Sequence, residues 1–426
     1  MKRMLSMCVF TLVLAAVAPV WASHSPRAVA ERVGVKNGAQ YAMFMPANWN
    51  RRLVVYTHGF VDPAAAIALP DVAPADVAPW VVELRERLLG AGYAVAYSSY
   101  AENGWAVRDG HVRTHELWNL FMYRFGVPSR VYVVGRSLGA LVGLYLAENF
   151  PGYYDGALAL CGPVGGGRRQ ADHIGHTRVL FDFFFPGVIP GDAVNVPDLD
   201  YRPGSPLVNA IVGAILANPQ AAVALAAVDQ IELPYTTFEE LVNSIVRALG
   251  YHVRGTNDLL ARTGGLSPFG NLDTVYSGLG DFDAVVNAGV ERVQGYTDAI
   301  RYLNRNYRPS GNLAIPVLTL HTTLDPDVPF SHQAALAKIV ANAWRSNYLV
   351  QESVQRYGHC NFTPAEVVQA ISRLAKWAEW GVKPAGSGST LLGSTQSTID
   401  STVSTTTSTI TSTTNSILSA TLGLLF

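Results

Sequence analysis

Charge is scarce in this chain, and no sign of it dominates. Only 15% of the 426 residues are Asp, Glu, Lys or Arg, and the formal net charge is −1. A nucleic-acid-binding surface needs a basic excess and a solvated tail needs an acidic run, and neither is present. Cysteine is nearly missing too. Cys8, Cys161 and Cys360 are the whole complement, too few for a disulfide-built scaffold. One long apolar run occurs, at the N-terminus, and no other uninterrupted stretch has the length of a membrane span. What remains is a chain that is 49% hydrophobic, ample for a large core.

The apolar run follows Lys2 and Arg3, covers CVFTLVLAAVA and ends at Val20-Trp21-Ala22. A basic start, a short apolar stretch and compact residues before the break predict a cleaved secretory signal over residues 1–22, and hence a secreted or periplasmic protein. An uncleaved membrane anchor is the alternative, for which the run is short. If Cys8 leaves with the signal, two cysteines stay behind in an oxidising compartment, and one disulfide is possible.

From Gln40 onward, strand-like and helix-like stretches alternate. QYAMFMP, LVVYTHG, YAVAYSSY, VYVVG and GALALCG read as strands, and most are continuous apolar runs. WVVELRERLLGAG, THELWNLFMYRFG and LVGLYLAENF read as helices; in the first, Trp80, Leu84, Leu88 and Leu89 share a side and Gly90 and Gly92 stop it. Alternation with apolar strands predicts a parallel sheet covered on both faces, an α/β fold. The alternation stops over 163–314, where helical patterns such as PLVNAIVGAILA and FEELVNSIVRALG sit among Gly/Pro-rich loops and the very apolar FDFFFPGVIP. It resumes with a strand at IPVLTLH, a helix from His332, a strand over 348–356 and a helix over 364–381. The expected organisation is a core in two parts, 23–162 and 315–384, with a helical cap, 163–314, inserted between strands of one sheet. Residues 385–426 are a Ser/Thr-rich low-complexity tail. Val403, Ile410, Ile417 and Leu424 recur seven apart, one apolar residue per heptad, too few for a coiled coil. The tail reads as disordered, with a docking amphipathic helix that attaches to a surface or partner as the alternative.

One short stretch concentrates chemistry. VYVVGRSLGA puts Ser137 between Gly135 and Gly139, where a strand gives way to a helix. Among 38 glycines a G-x-S-x-G match arises easily by chance, so the context decides. A strand-to-helix turn strains the serine's backbone, the glycines allow close approach, and the helix start presents amides to an anion formed beside the hydroxyl. That context favours a nucleophile over a plain turn. A serine nucleophile needs a base, and the base an acid that orients it. His359, in QRYGHCNFTP between the last strand and the last helix, falls at the same sheet edge as Ser137. His321 ends a strand and reads as structural. His173 and His176 have H-x-x-H spacing but no evident third ligand, so no metal is called. Asp325 and Asp327, in HTTLDPDVPF, are both candidates for the acid, though a loop Asp before Pro is also a turn former.

In VVYTHGF, VYVVGRSLGALVGLYLAENFP, VLTLHTTLDPDVP and YGHCNF the chain resembles the α/β-hydrolase superfamily. These stretches cover most of the core and neither the insertion nor the tail. The resemblance implies a mostly parallel sheet with helices on both faces under a large helical cap. It selects Asp325, in D-x-x-V-P, as the acid beside Ser137 and His359, and it implies backbone amides of Phe60 and Leu138 as the oxyanion hole. Arg136 departs from the uncharged residue many members carry there, and its role is left open. In that fold Cys161 and Cys360 fall near the catalytic edge, which makes a disulfide fixing the histidine loop the expectation.

The function expected is hydrolysis of carboxylic esters of lipid, aryl or polyester type, without cofactor or metal and with no nucleic-acid partner. Tyr100 and Trp105, in YAENGWAV, are candidate walls of the substrate pocket. A peptidase of the same fold is the alternative; Glu239-Glu240 or Asp281 with Asp283 would then hold the free amine. A hydrolase-like binding protein without catalysis, attached through its tail, is the third reading.

Overall fold

A computed structural model describes residues 27–386. The expected signal, 1–22, and the tail beyond residue 386 lie outside the described residues.

Eight strands make one sheet: β1 (Ala28–Lys36), β2 (Ala39–Pro46), β3 (Arg52–Thr57), β4 (Ala94–Ser98), β5 (Arg130–Arg136), β6 (Gly156–Leu160), β7 (Val317–Leu324) and β8 (Leu349–Tyr357). Their order across the sheet is β1-β2-β4-β3-β5-β6-β7-β8. β1 and β2 pair antiparallel, β2 joins β4 antiparallel, and every other neighbour is parallel. Alternation along each strand divides the core in two. Val131 and Val133 of β5 face one layer, Tyr132 and Val134 the other, and all four are buried. On the first face lie α2 (Val107–Phe125), α3 (Leu138–Asn149) and α10 (Ser331–Asn342); on the second lie α1 (Ala78–Gly90) and α11 (Pro364–Trp380). This is the mostly parallel, doubly covered α/β sheet of the α/β-hydrolase fold.

Between β6 and β7 the chain contributes no strand. It forms α4 (Gly167–Phe184), α5 (Pro206–Ala217), α6 (Pro219–Ala226), α7 (Phe238–Arg262), α8 (Asp283–Gly289) and α9 (Thr297–Tyr307). α4 to α8 share a hydrophobic cluster of their own, with Ile211, Ile215, Leu241, Ile245 and Leu249 at its centre. Ser205 caps α5, with Pro206 at its first position, and Thr237 with Glu240 closes a capping box on α7. Among the described residues no single helix is long and apolar enough to cross a membrane.

Two elements differ from expectation. α2 begins at Val107 rather than at 114, and α7 runs on to Arg262, well past the 238–250 pattern. Gly250, the last residue of that pattern, and Gly255 each lie where a Cβ would crowd an aromatic ring. At Gly250 it would sit 2.9 Å from Tyr201, and at Gly255 3.2 Å from the Trp105 indole nitrogen. The glycines keep α7 close to its neighbours instead of ending it.

Candidate active site

β5 ends and α3 begins with Ser137 between them, at φ 56° and ψ −127°. No β-strand or helix uses that conformation, and it costs on the order of 1–3 kcal/mol, so the surroundings must hold it. They do so by contact. A Cβ at Gly135 would meet the backbone of Gly139 and Ala140, and one at Gly139 would meet the carbonyls of Thr57 and His58. The Ser137 amide donates to Leu160 O at 2.9 Å. Both glycines of the motif are therefore required by close packing, Gly135 against the start of α3 and Gly139 against the end of β3.

The hydroxyl meets an imidazole. His359 Nε2 lies 2.9 Å from Ser137 Oγ, and His359 Nδ1 lies 2.9 and 3.0 Å from the two Asp325 oxygens. Bonding of Nδ1–H to the carboxylate leaves Nε2 as an acceptor facing the serine. Asp325 is buried, which by itself raises its pKa. The charge and hydrogen bonds of His359 and His321 outweigh that and hold it well below the usual carboxylate range. Asp325 Oδ1 also accepts from the Asp327 and Val328 amides, at 2.9 and 3.0 Å. His321 sits in β7, fully buried, bonded to Val328 O and Gln333. It supports the acid's loop and does not reach the serine.

Asp327, the other candidate acid, is engaged elsewhere. Its carboxylate takes both Arg247 guanidinium bonds and accepts from Tyr251 Oη at 3.0 Å, and both partners belong to α7. One short loop thus carries two carboxylates with different tasks, Asp325 turned to the histidine and Asp327 to the insertion.

Beside the serine, Gly59 approaches so closely that a Cβ would lie 2.9 Å from Ser137 Cβ. The amides of Phe60 and Leu138 have no protein acceptor among the described residues. Leu138 opens α3, where the helix dipole adds to its attraction for an anion.

A groove of about 660 Å³ contains Ser137, His359, Gly59 and Phe60. Its far wall comes from the insertion: Val208 of α5 and Asn243, Val246, Tyr251 and Arg254 of α7. Arg136 lines it too, with its guanidinium 5.7 Å from the Trp80 ring centroid. Asp62 and Asp76 add two carboxylates.

The expected pocket walls need correction. Tyr100, at φ 57°, turns back beneath His58, stacks on it at 3.8 Å and donates to His58 O. It supports the segment that carries Phe60 and does not line the groove. Trp105 is 5% exposed and packs behind Phe60, walling a small separate cavity with Tyr251 and Leu259. The carboxylates expected to hold an amine also lie elsewhere. Glu240 caps α7, Asp283 accepts from the Leu279 amide, and none of Glu239, Glu240, Asp281 and Asp283 lines the groove. No sequence pattern marked Asp62, Asp76 or the α7 residues, because only the fold brings them to the serine.

Cys161 and Cys360 are joined as a disulfide, with Cα atoms 5.4 Å apart. It ties the residue after β6 to the residue after His359. Together with His359 these sulfurs are the one group of metal-binding geometry among the described residues, and as a disulfide they supply no thiolate.

No protein-family model and no curated protein sequence matches the chain. Solved structures resemble it distantly. Candida antarctica lipase A in its closed state is 14% identical over 84% of this chain and 83% of its own, with a TM-score of 0.42. A Pyrococcus furiosus esterase is 11% identical over 82% and 89%, at 0.40. A protein assigned as a dipeptidyl aminopeptidase IV from Bacteroides ovatus is 11% identical at 0.42; the match covers 83% of this chain and only 36% of that one.

Proposed function

We propose that this chain, an α/β-hydrolase by fold, is a serine hydrolase that cleaves carboxylic esters through Ser137, His359 and Asp325. The observation that carries the reading is the continuous hydrogen-bonded row from Ser137 Oγ through His359 to Asp325, at 2.9 Å and 2.9 Å. His359 Nε2 takes the serine proton as Oγ attacks the ester carbonyl. The Phe60 and Leu138 amides receive the oxyanion; losing one such donor typically costs about a hundred- to a thousand-fold in turnover. The tetrahedral intermediate collapses, His359 returns the proton to the departing alcohol, and an acyl group remains on Ser137. Water, deprotonated by the same imidazole, attacks that acyl group; the C–Oγ bond breaks, His359 returns the proton to Ser137 Oγ, and the acid is freed. Asp325 accepts from Nδ1–H throughout and stabilises the imidazolium.

Apolar groups on the insertion side of the groove, Val208, Val246 and Tyr251 among them, favour an ester with a hydrophobic part. A peptidase is the second reading, favoured by Asp62 and Asp76, which place carboxylates in the groove where a free amine would bind. The disulfide supports export, in line with the expected signal.

A panel of p-nitrophenyl acyl esters against aminoacyl anilides separates the two. Ester turnover is expected to dominate, with Ser137→Ala lowering it by roughly a million-fold. A fluorophosphonate probe should label wild type and not the variant. Near-normal turnover in Ser137→Ala, or a folded wild type inert to the probe, overturns the assignment.

A further inference from the structure

His359 divides the space around the serine. On one side is the groove that holds Ser137 and Phe60. On the other lies a compartment of about 320 Å³, bordered by Trp80, Arg136, His359 and Asn361 and by neither Ser137 nor Phe60. In the reading above, His359 Nε2 hands its proton to the departing alcohol, so the alcohol lies on the imidazole's side of the reacting carbon. The acyl group is left to the other end of the groove, away from His359, where Phe60 stands against Tyr251 of α7.

The Phe60 ring closes that end. It is half-buried, bordering the groove and packed on the core behind. It meets Tyr251 edge-on at 5.7 Å and Trp105 at 6.4 Å between ring centroids. Its tip reaches α7, where a Cβ on Gly255 would lie 3.7 Å from Phe60 Cζ. Tyr251, Trp105 and Gly255, the three groups behind the ring, also border the small separate cavity, about 30 Å³ in volume. Ile174, Leu259 and Phe269 line the rest of it. Two of its polar members are already engaged: His252 Nε2 bonds to Ala193 O at 3.0 Å, and Ser267 donates to Phe269 O at 2.9 Å. Behind the ring is thus apolar, incompletely filled space with room for little more than a water. Ahead of it is open groove, so an acyl chain running from Ser137 meets the ring first.

We propose that the Phe60 side chain is the end wall of the acyl subsite and limits the length of the acyl group this site accepts. The proposal rests on the triad reading above and deepens it: the preferred ester carries a short acyl group, and its alcohol projects past His359. One residue then has two separate tasks, a backbone amide for the oxyanion and a ring for length.

The test is kcat/KM of the full chain on p-nitrophenyl butyrate and p-nitrophenyl octanoate, which differ only in the acyl group. Wild type should favour the butyrate. Phe60→Ala should raise the octanoate-to-butyrate ratio by roughly tenfold or more, since each methylene newly buried contributes roughly fourfold. Phe60→Leu should shift the ratio the same way by less, and carries the test if Phe60→Ala fails to fold. Both variants keep the Phe60 amide, so any loss of oxyanion stabilisation falls on both esters alike and cancels in the ratio. The ratio of p-nitrophenyl butyrate to benzyl butyrate, which varies only the alcohol, should not move. In a wild type that takes the fluorophosphonate, an octanoate-to-butyrate ratio that neither variant raises, an equal shift in alcohol preference, or an initial preference for octanoate overturns this proposal alone. A folded wild type that takes no probe overturns the triad reading and this proposal with it.

Discussion

At Ser137 the sequence motif and the physical constraint coincide residue by residue. G-x-S-x-G is legible because each glycine answers a contact: Gly135 lies against Gly139 and Ala140, and Gly139 against the carbonyls of Thr57 and His58. Gly139→Ala should push α3 off β3, shift the Phe60 segment that follows His58, and destabilise the fold by roughly 1–3 kcal/mol. Melting temperature and ester turnover measure the two effects, and a variant that keeps both would show that the turn has slack. Neighbouring residues were less legible. Arg136 had no reading until the fold placed it against Trp80 and the groove. Tyr100 sat near the candidate site in sequence, yet its left-handed backbone sends the ring under His58.

Helix α7 decides how the insertion meets the core. It is anchored at three levels along its length. Tyr357 Oη, at the end of β8, accepts from Asn243 at 2.9 Å and donates to Glu240 O at 2.9 Å. Arg247 and Tyr251 hold Asp327, and Asp258 accepts from the Trp105 amide at 2.8 Å. The middle anchor stands two residues from Asp325, so the groove wall and the acid's loop are set together. Asp327→Ala should cost roughly 2 kcal/mol, less than a fully buried pair because Arg247 is 42% exposed. It should also raise KM for bulky esters more than for acetates, since Arg247 and Tyr251 form the wall that bulky groups touch. An equal change for both substrates would place the effect on the acid's loop instead. Sequence exposed the elements unevenly. The apolar run Val131–Val134 of β5 and the whole of β6 stand out, whereas β1, with Glu31 and Arg32 in its middle, does not. α4 was hidden because one of its faces carries Arg169, His173 and His176 where a core helix would carry leucines.

Across the whole molecule, two features link the insertion to the core's stability. The Cys161–Cys360 disulfide closes a loop of 199 residues that contains every helix from α4 to α10. In the chain-entropy account a loop of that size contributes about 5 kcal/mol, so the double Cys→Ser variant should melt roughly 7 °C lower. Equal thiol counts with and without reductant, under denaturing conditions, would remove the bridge from consideration. The second feature is buried histidine. Burial lowers His173 and His252 from 6.5 to about 3, and pushes His332 well below its ordinary value. A histidine whose folded pKa is depressed binds fewer protons folded than unfolded, so its contribution is complete above pH 6.5 and is shed as pH falls toward 3. Each sheds about 1.4 kcal/mol per pH unit once well below 6.5. Asp172 and Asp182, raised by burial to about 6, act in the opposite sense, but mainly below pH 6. The melting temperature should therefore hold level from pH 8 to 7 and begin to fall below 6.5, before ordinary carboxylates titrate. A His332→Asn variant should lose less stability over that interval than wild type. Melting curves taken at half-unit steps decide it: a fall as steep in His332→Asn as in wild type would mean that this ring is not kept neutral by the fold.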